Sequence, residues 1–369
     1  DIRAGAATAG AVSAVVEAEA SDGAWLSYTG GTTGQPKGAI RSHPAFVAMV
    51  TAILADFEFP DFTNYLAVAP ISHVGGTKLP AVLHLGGTVT FMNGFDPGKV
   101  LATIEQERIS MTLLVPTMIY MLLDHPDLAR RDLSSLEYLL YGASPMSPTR
   151  LVEGIERIGP VFGQLYGQTE GYPVSVLRKA DHDTARPELF TSCGHPNASV
   201  QVKLMDDDLK EVPEGEPGEI CVRARHIMDE YWKRPEQTAE TLKGGWLHTG
   251  DVGSMDGNGY VCITDRMKDM YISGGFNCYP AEIEKLLSEH PAVEMVAVIG
   301  VPDERMGELG KAFIVPRPGE RPRTEELLEW ARDNMANYKV PKSISIVDSL
   351  PLNASGKILK IELRQIESS

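Results

Sequence analysis

The chain has 369 residues, 43% of them hydrophobic and 23% charged, with a formal net charge of −16. That length suffices for two or three domains, and the composition is ordinary for a soluble globular protein. So acidic a balance argues against a general nucleic-acid binder, which needs a basic surface to displace counterions, but it leaves room for a small anion held by a local basic cluster.

Residues 7–20 are rich in Ala, Val and Glu and are expected to be helical. After the apolar Ala24-Trp25-Leu26 comes Tyr-Thr-Gly-Gly-Thr-Thr-Gly-Gln-Pro-Lys-Gly, residues 28–38. Glycines let backbone N–H groups close on an anion, and a run of such amides makes a concave nest for phosphate oxygens. Thr29, Thr32 and Thr33 add hydroxyl donors around Gly31 and Gly34, and Lys37 adds a mobile positive charge. The loop is suited to a polyphosphate. It is not a Walker A loop, because Lys37 follows Pro36 and precedes Gly38. An exposed Gly/Thr turn without a ligand is the alternative.

Further along, strands over Tyr65–Ala69 and Thr88–Met92 alternate with helices around 44–55 and 98–107. Leu113–Val115 and Tyr138–Tyr141 are short apolar runs stopped by Pro116 and Gly142, as buried strands are. This alternation predicts a layered α/β region with a partly parallel sheet. From about 198 the texture becomes β-rich, with strands over Val200–Met205, Glu219–Arg223 and Tyr260–Thr264. Past Asp265 come a hairpin-like segment, a helix at 280–289, a strand at 293–299, a helix at 324–336 and a Gly-Lys tail. The expected division is therefore 1–264, with 198–264 as its β-rich part, and a small α+β module over 265–369.

Four clusters could carry chemistry. In Tyr166-Gly167-Gln168-Thr169-Glu170 the acid sits at a strand end, where a carboxylate can hold Mg²⁺ beside phosphate oxygens; a solvated loop acid is the alternative. Trp246-Leu247-His248-Thr249-Gly250-Asp251 puts an acceptor-only carboxylate after a turn, which suits ribose hydroxyls or nothing at all. Asp265-Arg266-Met267-Lys268-Asp269 marks the boundary, and Asn353-Ala354-Ser355-Gly356-Lys357 presents one lysine on a turn. The cysteines (Cys193, Cys221, Cys262, Cys278) are far apart and read as reduced thiols of a cytoplasmic protein. No apolar run approaches a transmembrane length, and no basic-then-apolar leader opens the chain. The chain begins at Asp1 rather than Met, so it is not expected to be the complete gene product.

Taken in order, YTGGTTGQPKG, YGQTE, GEICVR, WLHTGD, DRMKDMYISGGFNCYPAEIE and PLNASGKILK resemble the AMP-forming adenylate superfamily of acyl- and aryl-CoA synthetases. The likeness runs from Tyr28 to about Lys360. It implies a layered α/β large domain with a distorted β-barrel region and a mobile C-terminal domain. It also implies ATP, Mg²⁺ and CoA, with a small carboxylic acid as substrate, no nucleic acid, and room for a homodimer. By motif, Thr29, Gly31, Thr32, Thr33, Gly34 and Lys37 look like the grip on the β- and γ-phosphates. Gly142, Ala143, Ser144, Tyr166 and Gly167 resemble the adenine wall. Thr169 and Glu170 look like the α-phosphate and Mg²⁺ contacts, and Asp251 and Arg266 like the ribose ligands. Lys268 takes the hinge position, Lys357 that of the mobile lysine of adenylation, and Gly274, Gly275 and Phe276 that of the pantetheine tunnel.

The chain departs from the pattern at Gly30, where many members have serine, at Arg225 and Glu230, and at Ile272. The family's long segment ahead of the phosphate loop is expected to be missing. His73, Gly75 and Gly76 fall in the segment that lines the acyl pocket; no aspartate is there to hold an ammonium, which disfavours amino acids. A bulky Tyr172 is expected to shorten the pocket and favour medium-chain or compact ring acids. The implied activity is ATP-dependent acid–CoA ligation through an acyl-AMP. The rivals are an acyl-AMP ligase that loads a carrier protein and an inactive nucleotide-binding fragment.

Overall fold

The computed structural model describes residues 17–29, 36–352 and 358–367. Of the helix expected at 7–20, residues 17–20 are irregular, and 7–16 lie outside the described residues. β1 (Gly23–Tyr28) and β2 (Gly38–Ser42) pair antiparallel, so the two ends of the glycine-rich stretch are side by side. At the base of that stretch the Thr29 N–H donates to the Lys37 carbonyl at 2.8 Å.

The main sheet is built from β3 (Asn64–Ala67), β4 (Thr88–Phe91), β5 (Met111–Leu114), β6 (Tyr138–Gly142), β7 (Phe162–Gln168), β8 (Gly171–Leu177) and β9 (His195–Pro196). Its spatial order is β4-β3-β5-β6-β7-β8-β9, parallel as far as β7 and antiparallel beyond. Side chains alternate across a strand. Tyr65, Met111, Leu113, Tyr138 and Leu140 therefore pack with Met49 and Ile53 of α1 (His43–Asp56). Leu66, Leu114, Leu139 and Tyr141 face the opposite layer. After α2 (Leu79–His84), that layer is supplied by α3 (Pro97–Gln106), α4 (Pro116–Leu123) and α5 (Pro148–Ile158). Covering on both faces is why β5, β6 and β8 are buried throughout and mostly apolar. Proline stands in the first or second position of each of these helices, where its missing N–H is no loss.

The β-rich part is an antiparallel sheet of β10 (Gln201–Met205), β11 (Gly218–Arg223), β13 (Leu247–Met255) and β14 (Val261–Arg266). Between them β12 (Glu230–Tyr231) adds to β2. The last sheet comprises β15 (Tyr271–Ser273), β16 (Phe276–Cys278), β17 (Val293–Asp303), β18 (Gly307–Pro316) and β19 (Ser343–Ile346). With helices Pro280–Ser288, Thr324–Asn334 and Lys360–Glu367 it gives the α+β texture expected there. The Asp265 carboxylate ties this sheet's first helix to β14, accepting the Ala281 N–H at 2.8 Å and the Arg266 N–H at 2.6 Å. No helix among the described residues is long and apolar enough to cross a membrane.

Candidate active site

Gln168 pairs with Gly171 across the β7–β8 hairpin, which makes Thr169 and Glu170 its two-residue turn. A side chain at 171 would meet Leu247 at 2.5 Å, so glycine lets the turn sit against β13. Beneath it lies Arg41 from β2, 2% exposed. Its Nη2 donates to the Thr169 carbonyl at 2.9 Å and its Nε to the His226 carbonyl at 2.8 Å. Burial opposes the guanidinium charge, while Glu170 and Asp229 support it. Glu170 is buried, and its Oε1 accepts the hydroxyl of Tyr231. The Lys37 Nζ stands 3.9 Å from the centre of the Tyr231 ring. Burial lowers the Lys37 pKa; Glu170 opposes that shift and Lys268 adds to it. Lys37, Tyr231 and Glu170 thus form one layered charge cluster, reached from three distant parts of the chain.

A second cluster lies on β13. Asp251 stands opposite Arg266 in the β13–β14 register, and its Oδ1 is 3.1 Å from the Arg266 Nε. Its Oδ2 accepts the Tyr166 hydroxyl at 2.8 Å. Burial and then the Asp251 charge push the Tyr166 phenol well up, so it keeps the proton it donates. Each carboxylate oxygen has a second lone pair, leaving Asp251 able to accept from a diol. The turn before it is braced by Glu219, whose Oε1 accepts the Gly250 N–H at 2.9 Å and whose Oε2 meets His248 Nδ1 at 2.6 Å. Gly250 has φ +69°, a conformation that suits glycine. Cys221 completes a group of three metal-capable side chains with Glu219 and His248, all within 4.8 Å. Burial and then Glu219 push its thiol up to about 12, and Glu219 braces the turn through its bonds to Gly250 and His248.

Both clusters open onto one cavity of about 980 Å³. Thr29, Lys37, Ala143, Gly167, Thr169, Glu170 and Arg266 line it, as do His73, Tyr172 and Lys268. Ala143 holds φ +67°, a left-handed conformation that costs a non-glycine residue about 1 kcal/mol. Tyr166 and Asp251 stand behind the wall through the bonds just given. Gly142 ends β6, where a Cβ would strike the Leu165 carbonyl at 2.3 Å; neither it nor Ser144 lines the cavity. Gly75 and Gly76 are buried within the turn that carries His73, where side chains would meet the Ala69 and Ile71 carbonyls at 2.7 and 1.8 Å. Gly274 and Gly275 form the β15–β16 turn and Phe276 opens β16, all outside the cavity wall; Phe276 stacks on Tyr338 with ring centres 4.8 Å apart. Gly31, Thr32, Thr33, Gly34 and Lys357 lie outside the described residues.

Sequence reasoning missed Arg41, Tyr231 and Glu219 as parts of this site. Glu219 stood inside the GEICVR motif without a role and Tyr231 just after it; Arg41 carried no signal at all.

Two family models match the chain: "AMP-binding enzyme" over residues 3–232 and "AMP-binding enzyme C-terminal domain" over residues 282–357. Among curated proteins, the chain is 44% identical to the medium/long-chain-fatty-acid–CoA ligase FadD8 of Mycobacterium tuberculosis, across 90% of this chain and 59% of that protein. It is also 44% identical to a feruloyl-CoA synthase of an Amycolatopsis species, across 92% of this chain and 69% of that protein. The chain therefore spans well short of the full length of either relative. Among solved structures, ATP-bound MatB from Rhodopseudomonas palustris superposes with a TM-score of 0.91 at 31% identity, covering 100% of this chain and 73% of that one. With one family model over residues 3–232 and the second following it in order over 282–357, the chain belongs to the AMP-binding enzyme family.

Proposed function

We propose that this chain carries the catalytic machinery of an ATP-dependent acid–CoA ligase, which activates a fatty or aromatic carboxylic acid as acyl-AMP and passes the acyl group to CoA. The observation that carries the reading is the convergence of Lys37, Glu170 and Arg266 on one cavity, with Asp251 bonded to Arg266 directly behind its wall. Relatives named as ligases of fatty acids and of ferulate support it.

A carboxylate and the α-phosphate of ATP are both anionic, so the first step needs positive charge between them. Lys37 is assigned the departing pyrophosphate, together with the threonines and amides of the glycine-rich stretch. Asp251, oriented by Tyr166 and Arg266, accepts the ribose hydroxyls. Glu170 fits Mg²⁺: Tyr231 occupies Oε1 and leaves Oε2 for a cation that needs one carboxylate and several phosphate oxygens. Bound there, the ion neutralises charge on the phosphates. Lys357 is assigned the second positive charge of adenylation.

In the second step the CoA thiol attacks the acyl carbon and AMP leaves. The module over 265–369 is proposed to turn about Lys268, moving Lys357 away and bringing Gly274, Gly275 and Phe276 towards the thiol's path. Free cysteines at all four positions fit a reducing, cytoplasmic setting.

The test is pyrophosphate release by the full-length gene product across a panel of carboxylic acids, with and without CoA. Acid-dependent release, with a thioester formed only when CoA is present, is the expected result. Nucleotide binding without acid-dependent release would overturn it in favour of a binding scaffold. Acyl-AMP that passes to a carrier protein and never to CoA would move the chain to the carrier-loading class.

A further inference from the structure

Lys78 is 0% exposed, at the N-terminal edge of α2. In the sequence it reads as an ordinary surface lysine, between Thr77 and Leu79. The structure turns it inward. Its Nζ donates to the Thr77 hydroxyl at 3.1 Å and is hydrogen-bonded to the Tyr172 hydroxyl. Two aromatic faces enclose it, Tyr172 at 4.4 Å and Phe57 at 5.1 Å from their ring centres. No carboxylate among the described residues shifts its ionisation; burial alone does, and it lowers the pKa well below the ordinary lysine value.

A buried amine with no counter-charge is costly where an apolar side chain of the same length would pack freely. Its two hydroxyl partners, Thr77 and Tyr172, both face the cavity, at the end walled by Met49, Ala69, Val74 and Leu165. An amine offers more N–H and lone-pair sites than these two hydroxyls use. Burial pushes the Tyr172 phenol well up, so that hydroxyl also keeps a proton to donate. Thr77 and Tyr172 therefore bring donors to an otherwise apolar stretch of the cavity wall, with Lys78 bonded to both directly behind them.

We propose that Lys78 and Tyr172 form a recognition site for an oxygen function at the far end of the acid, and that the preferred substrates are carboxylic acids whose tail carries a hydroxyl, a ketone or a second carboxylate. Lys78 and Tyr172 act as specificity-determining residues and take no part in bond making. The inference rests on the acid-activation reading above and narrows it. Hydrophobic pockets discriminate weakly between similar acids, whereas a site built to hydrogen-bond an oxygen strongly rejects the analogue that lacks it.

The experiment uses the full-length gene product and pairs of acids that share one carbon skeleton, with and without a terminal oxygen. The three oxygenated arms are hydroxyl, ketone and carboxylate, and their ranking names the function recognised. Pyrophosphate release gives the ratio of kcat/KM for each pair, and calorimetric binding of the same acids gives a readout independent of turnover. The native protein is expected to favour at least one oxygenated member. Lys78→Met and Tyr172→Phe should each reduce that preference by about tenfold or more. Tyr172→Phe keeps the ring, so it answers the question even if Lys78→Met folds poorly. A native protein that prefers the unsubstituted acid in every pair overturns the proposal. So does an equal loss for both members of each pair in the two variants, which is the signature of packing alone. If no acid releases pyrophosphate yet oxygenated acids bind the native protein more tightly than the variants, the ligase reading fails and the Lys78 site stands.

Discussion

Arg41 and Thr169 lie 128 residues apart and meet at 2.9 Å, guanidinium Nη2 on carbonyl oxygen. The contact fixes the β7–β8 turn from below, and the same arginine holds the His226 carbonyl. Thr169 and Glu170 are thus presented to the cavity by a buried cation that holds two carbonyls and forms no ion pair among the described residues.

Removing that brace strands two buried carbonyls. Arg41→Ala is expected to lower unfolding free energy by about 2–4 kcal/mol. Denaturant titration with an unchanged slope checks it, and a midpoint equal to the native one would show that the turn supports itself.

Asp251 has no other carboxylate to substitute for it between Tyr166 and Arg266. Asp251→Asn keeps the volume and one acceptor but loses the charge that orients Arg266. The KM for ATP in pyrophosphate exchange should rise by about tenfold, with the KM for the acid little moved. A rise confined to the acid would place the acid, not the nucleotide, at this cluster.

Glu170→Gln tests the cation site. The amide can still accept from Tyr231, so the fold is expected to survive. Pyrophosphate release should fall by about a hundredfold or more, and raising Mg²⁺ should not restore it. Full recovery at high Mg²⁺ would reduce Glu170 to a weak contributor.

Two buried groups give stability opposite dependences on pH. His182 shares a hydrogen bond with the Tyr141 hydroxyl at 3.0 Å and sends Nδ1 to the Arg178 carbonyl at 2.8 Å. An Nδ1–H tautomer satisfies both, and burial lowers its pKa from 6.5 to about 4. Between those values the unfolded chain binds a proton that the folded chain does not, so stability rises with pH there and is lost as pH falls. Asp265 is raised by burial from 3.8 to about 6, with Lys360 opposing. In its window the folded chain holds the extra proton, and stability falls as pH rises. Unfolding midpoints from pH 4 to 7 should therefore rise less steeply in His182→Gln and more steeply in Asp265→Asn. Shifts of the same sign in both variants would contradict this account.

The layers were legible because period-two strands and long apolar runs are local signals. Tyr138–Tyr141, bounded by Gly142, needed nothing from the rest of the chain to be read as a buried strand. The prolines at the helix starts were equally local and went unused. Arg41 and Lys78 were illegible for the opposite reason. Neither stands in a motif, and each is held inside by at least one partner 94 or more residues away. The glycines at 75 and 76 show a third case: their segment was assigned to the acyl pocket, yet close backbone approach explains both without a ligand.

Asp265 lies three positions before Lys268, and its carboxylate grips the amide of Ala281 on the far side of that residue. A rotation about Lys268 cannot leave this grip intact. It must expose an anion that is now 4% accessible and free the first turn of a helix. If the module turns about Lys268 as proposed, the hinge carries its own catch, and the proposed swing would begin with undoing one carboxylate.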